Sequence, residues 1–130
     1  MDRVMREIKF RGKTKFDKKW VYGVPIRLGT DTLIVDNPTY FLSAPYKVRD
    51  DLASVNAYIV DADTVGQYTG YNDPDIYEGD ILLCAMETDC VVRFKNGSFI
   101  TEGRDGSEYL LSDTIEICLG VIGNIIDNKW

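Results

Sequence analysis

No histidine occurs anywhere in the 130 residues. The most frequent general base and the most frequent metal ligand are therefore missing together. Ser-His and Cys-His nucleophilic sites are excluded, and so are histidine-based zinc sites. Catalysis would fall to carboxylates, Lys, Tyr or Cys, and no catalytic motif of those types is present, so the chain is expected not to be an enzyme. A disulfide framework is lacking too, because Cys84, Cys90 and Cys118 are odd in number and include no C-x-x-C pair. Such thiols read as small apolar fillers in a reducing cytoplasm. No apolar run approaches the roughly 18 residues that span a bilayer. The charged start MDRVMREIKF has no signal-peptide h-region. The expected setting is cytoplasmic and away from membranes, with no cofactor and no metal.

What is present suits a globular protein. Apolar residues make up 45% and charged residues 28% of the chain, enough for one domain or two small ones. Charge is unevenly placed. Residues 1–22 hold eight Lys and Arg against three acids, and the other 108 hold seven against eighteen, for a net charge of −6. A basic end on an acidic body has three readings: contact with nucleic acid, with another subunit, or with the chain's own acidic part.

Strand chemistry dominates the rest. Ile8 and Phe10 alternate with Lys9 and Arg11, which predicts a half-buried strand with the apolar pair in the core. A polar turn over Phe16–Lys19 leads into WVYGVPIRL, a second strand in which Pro25 requires an edge or an end to regular pairing. TLIV at 32–35 is a third strand, closed by Asp36-Asn37-Pro38. RDDLASVNA, with Asp50 as N-cap, suits one or two helical turns. From Tyr58 onward short strands recur between turns every 8 to 12 residues (AYIVD, TVGQYTG, DILLCAM, CVVRFKN, SFIT, EYLLSD, IEICLGVIGNII), the spacing of a small antiparallel barrel or sandwich. Asn96-Gly97 predicts a type I′ hairpin with Phe94 opposite Phe99 and Val92 opposite Thr101, with Val92, Phe94 and Phe99 on the core face and Arg93 and Lys95 in solvent. With residues 86–89 as the preceding turn, Cys90 falls opposite Ala85, and Cys84 faces away from it, so the two would not bridge.

The densest cluster of acids is TGYNDPDIYEGDIL, residues 69–82. Asn72-Asp73-Pro74-Asp75 has the composition of a turn. Glu78-Gly79-Asp80 puts a glycine where φ can be positive, just before a strand. Asp61 and Asp63 form a D-x-D pair that would suit a hard cation, but the further spacing of a calcium loop is absent. These carboxylates read as turn formers that are individually dispensable.

Five blocks, MREIKFRGK, WVYG, DTVGQYTG, IYEGDIL and VIGNIIDN, run in the order seen in the YopX family of small phage and prophage proteins, which the chain resembles over nearly its whole length. Residues 28–57 match nothing particular in that family. The resemblance implies a mainly β protein with little helix: an N-terminal β-hairpin region with a variable segment over residues 1–57, and a C-terminal SH3-type small antiparallel barrel over residues 58–130. It brings no assigned activity and no catalytic residues.

Three functions follow in order of preference. The first is a non-enzymatic phage or prophage accessory protein that binds a host or phage protein, self-assembly included; eight Tyr, five Phe and two Trp suit interfaces as well as cores. The second is nucleic-acid binding by the basic hairpin, with Lys9, Arg11, Lys13, Lys15, Lys18 and Lys19 on phosphates and Phe16 or Trp20 stacking on bases. An acidic pI near 4.6 speaks against it. The third is a carboxylate enzyme working through Asp61, Asp63, Glu78 or Asp80.

Overall fold

The computed structural model describes residues 8–36 and 56–130. The chain is mainly β and divides between Gln67 and Tyr68 into two compact units. Among the described residues, each unit holds one five-stranded antiparallel sheet. Among the described residues no helix is long and apolar enough to cross a membrane.

The N-terminal sheet contains β1 (Phe10–Lys13), β2 (Trp20–Leu28), β3 (Asp31–Val35), β4 (Ala57–Val60) and β5 (Gly66–Gln67), in the order β4-β3-β2-β1-β5. The β1–β2 turn is tied by Thr14, whose backbone N–H donates to the Lys19 carbonyl at 2.8 Å and whose hydroxyl accepts the Lys19 N–H at 2.9 Å. β2 changes partners midway. Residues 20–23 pair with β1, and residues 24–28 pair with β3. Pro25 thus falls where β2 has lost its β1 neighbour, the edge position a residue without an N–H requires. β4 then reaches back to the end of β1 through a Thr14–Val60 bridge, with Asp61 N–H on the Lys13 carbonyl at 3.0 Å. Thr64 secures this corner by accepting the Lys13 N–H at 2.8 Å and donating to the Asp61 carbonyl.

β4 and β5 pair with N-terminal strands and so belong to the N-terminal unit. One expectation changes here: Ile8 is 67% exposed whereas Arg11 is 8% exposed, the reverse of the predicted alternation. The physical reason is Trp20, which stands opposite Lys13 and holds the Arg11 guanidinium 4.7 Å from its ring centroid. An indole face accepts a cation, so burying this side of β1 leaves no bare charge. The helix expected near Asp50 lies outside the described residues, save that Ala57 opens β4.

The C-terminal sheet holds β6 (Asp80–Cys84), β7 (Thr88–Lys95), β8 (Ser98–Gly103), β9 (Glu108–Leu110) and β10 (Cys118–Asn124), ordered β10-β6-β7-β8-β9. Its edges, β9 and β10, do not pair, so the sheet is open and no closed barrel is found among the described residues. The core is built on one face from Ile76, Leu82, Cys84, Cys90, Val92 and Leu111. The Asn96-Gly97 hairpin has the predicted register, Val92 to Thr101 and Phe94 to Phe99, with φ of 52° and 80° at the two turn residues. Phe94 departs from expectation in being 48% exposed; close to the hairpin tip it meets Phe99 edge-on, at 5.0 Å between centroids.

The β6–β7 connection is a single 3-10 turn over Ala85–Glu87, with Glu87 at φ 59°. Three loop residues in place of four reverse the face parity of β7. Cys84 therefore pairs with Thr88, Leu82 pairs with Cys90, and both cysteines point into the core. The predicted register, with its outward Cys84, is corrected by this loop. The segment after β9 also differs. LSD and IEI, read as strand, form the short helix α1 (Leu111–Thr114) and a 3-10 turn (Ile115–Ile117). Leu111, Thr114 and Ile115 sit three and four apart, a helical spacing that turns one face inward.

Candidate functional site

Of the sequence-predicted cations, Arg11 and Lys13 share one face of β1 by alternation, and Lys9 stands just before the strand. Lys13 approaches the same Trp20 ring as Arg11, at 5.7 Å. Trp20 is thus already covered by cations from its own chain. Lys15 and Lys19 are exposed on the β1–β2 turn together with Phe16, which is 80% exposed. Lys18, at φ 56°, donates to the Asp61 carboxylate at 3.0 Å. The basic hairpin thus splits into a stacked set on the strand and an outward set at the turn.

The predicted acids divide in the same way. Asp61 is engaged by Lys18, and Asp63 is exposed in the 3-10 turn Ala62–Thr64. Glu78 is half-buried, whereas Asp80 is buried and accepts the Tyr77 N–H through Oδ2 at 2.7 Å. Asp80 is thus a structural element of the turn, in contrast to the expected dispensable carboxylate. Gly79, at φ 91°, supplies the positive φ expected there. Among the described residues, no three Cys, Asp or Glu side chains converge as metal ligands would.

A concave feature of the C-terminal unit lies elsewhere, at a pocket of about 760 Å³ that β7, β8 and the β9–α1 segment surround. Its floor carries Cys84, Cys90, Thr101 and Thr114. Thr101 and Thr114 join hydroxyl to hydroxyl at 2.6 Å, and Thr114 also donates to the Leu110 carbonyl at 3.3 Å. The Cys90 sulfur lies 3.8 Å from that of Cys84. Burial pushes the Cys90 thiol up to about 12, reinforced by neighbouring Cys84, so it carries no charge at neutral pH. Burial raises the Cys118 thiol as well.

The rim is charged but internally satisfied. Arg104 grips Asp89 through two hydrogen bonds of 2.8 and 3.0 Å, and its guanidinium lies over the Trp130 ring at 5.0 Å. The bonded guanidinium holds Asp89 below the usual carboxylate range, against a smaller opposing push from desolvation. Asp105 is lowered likewise by hydrogen bonds from Ser107, whose hydroxyl lies at 2.6 Å. Thiols and threonine hydroxyls thus lie under a rim of paired charges, and the volume falls in the range of about 300–1,000 Å³ usual for small-molecule sites.

Sequence reasoning missed this pocket because its lining comes from four separated segments. The three cysteines were the available signal, and their meaning depended on the β6–β7 parity. In comparisons with known proteins, the family model described as YopX protein matches residues 9–129. No curated protein and no solved structure matches the chain.

Proposed function

Because the chain belongs to the YopX family, we propose that it is a non-enzymatic, phage-type accessory protein of the bacterial cytoplasm that works by binding another protein along strand β10. One observation carries this reading. β10 pairs with β6 through two bulges, and the residues skipped by the register are Leu119 and Ile122. Bulges re-aim side chains and end regular pairing at sheet edges. Here they leave Leu119 69% and Ile122 54% exposed, with Ile117 and Ile126 also exposed beyond the strand ends. Natural edge strands are usually blunted with charge, so an apolar one is suited to a partner. The SH3-type character of this unit belongs to the same reading. What supports it is the meander β6-β7-β8-β9, followed by a short helical turn and a last strand that returns to the first.

A second copy is the first partner to test, since two β10 edges can pair isologously about a two-fold axis. Sedimentation equilibrium over a range of concentrations is expected to report self-association, and the Leu119→Ser, Ile122→Ser double variant should abolish it without lowering the melting temperature. A wild-type protein that stays monomeric throughout defeats the self-pairing; a double variant that associates as strongly as wild type removes β10 from the interface.

A second reading, nucleic-acid binding, is favoured by Phe16 standing exposed between Lys15 and Lys19 on the hairpin turn. A base stacked on an aromatic ring is worth about 1–3 kcal/mol. Fluorescence anisotropy with labelled single-stranded DNA separates the two readings. Binding that weakens steeply with salt and is lost in Phe16→Ala supports the hairpin, because neutralised phosphates release counterions. Absence of binding at low salt removes it.

A further inference from the structure

The two cysteines on the pocket floor are placed for more than filling space. Cys84 ends β6 and Cys90 lies two residues into β7, diagonal to it across the ladder on the same face. Their sulfurs are 3.8 Å apart, both side chains are buried from bulk solvent, and both line the pocket. A disulfide requires about 2.05 Å between sulfurs, so closing the pair brings each sulfur about 1 Å nearer its partner, with the β6–β7 ladder adjusting around the diagonal. Cys118 stands across from Cys84 on β10, but its thiol is turned to the Gly120 carbonyl at 3.8 Å.

We propose that Cys84 and Cys90 form a dithiol site that exchanges with a low-molecular-weight disulfide admitted by the pocket, and closes to an intramolecular disulfide. In the first step one protein sulfur, as its thiolate, attacks a sulfur of the external disulfide. The external S–S bond breaks, and the departing thiolate takes up the proton given off by the protein thiol. In the second step the remaining protein thiol gives up its proton and attacks the protein-side sulfur of the mixed disulfide. The second external thiolate leaves and receives that proton. Two protein thiols are oxidised, one external disulfide is reduced to two thiols, and no proton is gained or lost overall.

The surroundings fix how this site behaves. Thiolate, not thiol, is the attacking species, and the burial that keeps Cys90 protonated makes exchange slow at neutral pH. The product suits the site well: a disulfide is uncharged and brings no charge into the core. In a reducing cytoplasm the pair rests as a dithiol, and it closes when the small-molecule pool turns oxidising.

The test uses the full chain carrying Cys118→Ser, incubated in its folded state with oxidised glutathione between neutral and mildly alkaline pH. Intact mass should fall by two hydrogens with no glutathione retained, and dithiothreitol should reverse it. The rate should climb about tenfold per pH unit, as the thiolate fraction does well below the thiol's pKa. With Cys84→Ser added, the closed product should vanish and any glutathione should stay attached at Cys90. Three results would overturn the proposal: no change in mass, glutathione stably retained by the Cys118→Ser protein, or a rate that rises with sub-denaturing urea, which assigns the reaction to unfolded chain. In the wild-type protein, a Cys84–Cys118 bond found in place of Cys84–Cys90 would overturn it as well.

Discussion

Gly23→Ala is expected to destabilise the N-terminal sheet by about 3 kcal/mol or more, the upper end of what overpacking costs. Gly23 pairs with Phe10 on β1, and its neighbour Val24 opens the pairing with Val35 on β3. It is the residue at which β2 passes from one partner to the other. A methyl group there would stand 2.0 Å from the Val35 carbonyl oxygen and 2.6 Å from its carbon. Both obstacles are backbone, so no side-chain rotation relieves them. Val35 itself is buried, and moving it pulls β3 from β2 at the start of their ladder. Gly29 is the comparison. Nothing lies within 4 Å of a Cβ placed there, so Gly29→Ala bears only the strain of φ +64°, about 1 kcal/mol. Trp20 sits in the affected unit, so its fluorescence during urea unfolding, in a Trp130→Phe background, reads the effect directly. Equal midpoints for Gly23→Ala and the parent would show that β2 and β3 yield freely at this point.

How much was legible depended on whether local chemistry or long-range pairing decided the outcome. Asn96-Gly97 could be read because both turn positions need positive φ, and Asn and Gly supply it most cheaply. β2 was legible over its full length, Pro25 included, because its composition and its edge position agree. The loop before Thr88 was opaque. Its positive-φ residue is Glu87, which carries no turn signature, and one residue of loop length decided whether Cys84 faced Cys90 or away from it. Arg11 misled for a related reason: alternation identifies two faces of β1, but only the tertiary position of Trp20 reveals that the cationic face is the buried one. Leu111–Ile117 was misread because seven residues rich in Leu, Ile and Thr suit strand and buried helix alike, and contact with the core chose the helix. The pocket inherits all of these uncertainties, since its floor needs the β6–β7 parity, the β8 register and α1 together.

Asp80→Ala is expected to cost about 1–3 kcal/mol, the penalty for leaving a buried donor without its acceptor. The carboxylate is 2% exposed and takes the Tyr77 N–H at 2.7 Å, while the Asp80 N–H returns to the Tyr77 carbonyl at 3.0 Å. Between them Gly79 turns the chain, donating to the Val92 carbonyl at 2.8 Å and accepting the Ile125 N–H at 2.9 Å. The turn therefore joins β7, the start of β6 and the end of the chain, and the Asp80 side chain holds it in shape. Tyr77 is buried beside the turn with its ring 5.3 Å from that of Tyr68, so no water can readily replace the lost acceptor. Asp80→Asn keeps an oxygen at the same place and should recover about half of the loss. Asp73→Asn, on the exposed turn seven residues earlier, should shift stability by about 0.5 kcal/mol or less. Urea midpoints of the three variants, followed in the C-terminal unit by Trp130 fluorescence in a Trp20→Phe background, rank them. An Asp80→Ala protein as stable as Asp73→Asn would free this carboxylate from its structural duty, and would return it, with Glu78 beside it, to the position of a candidate catalytic acid.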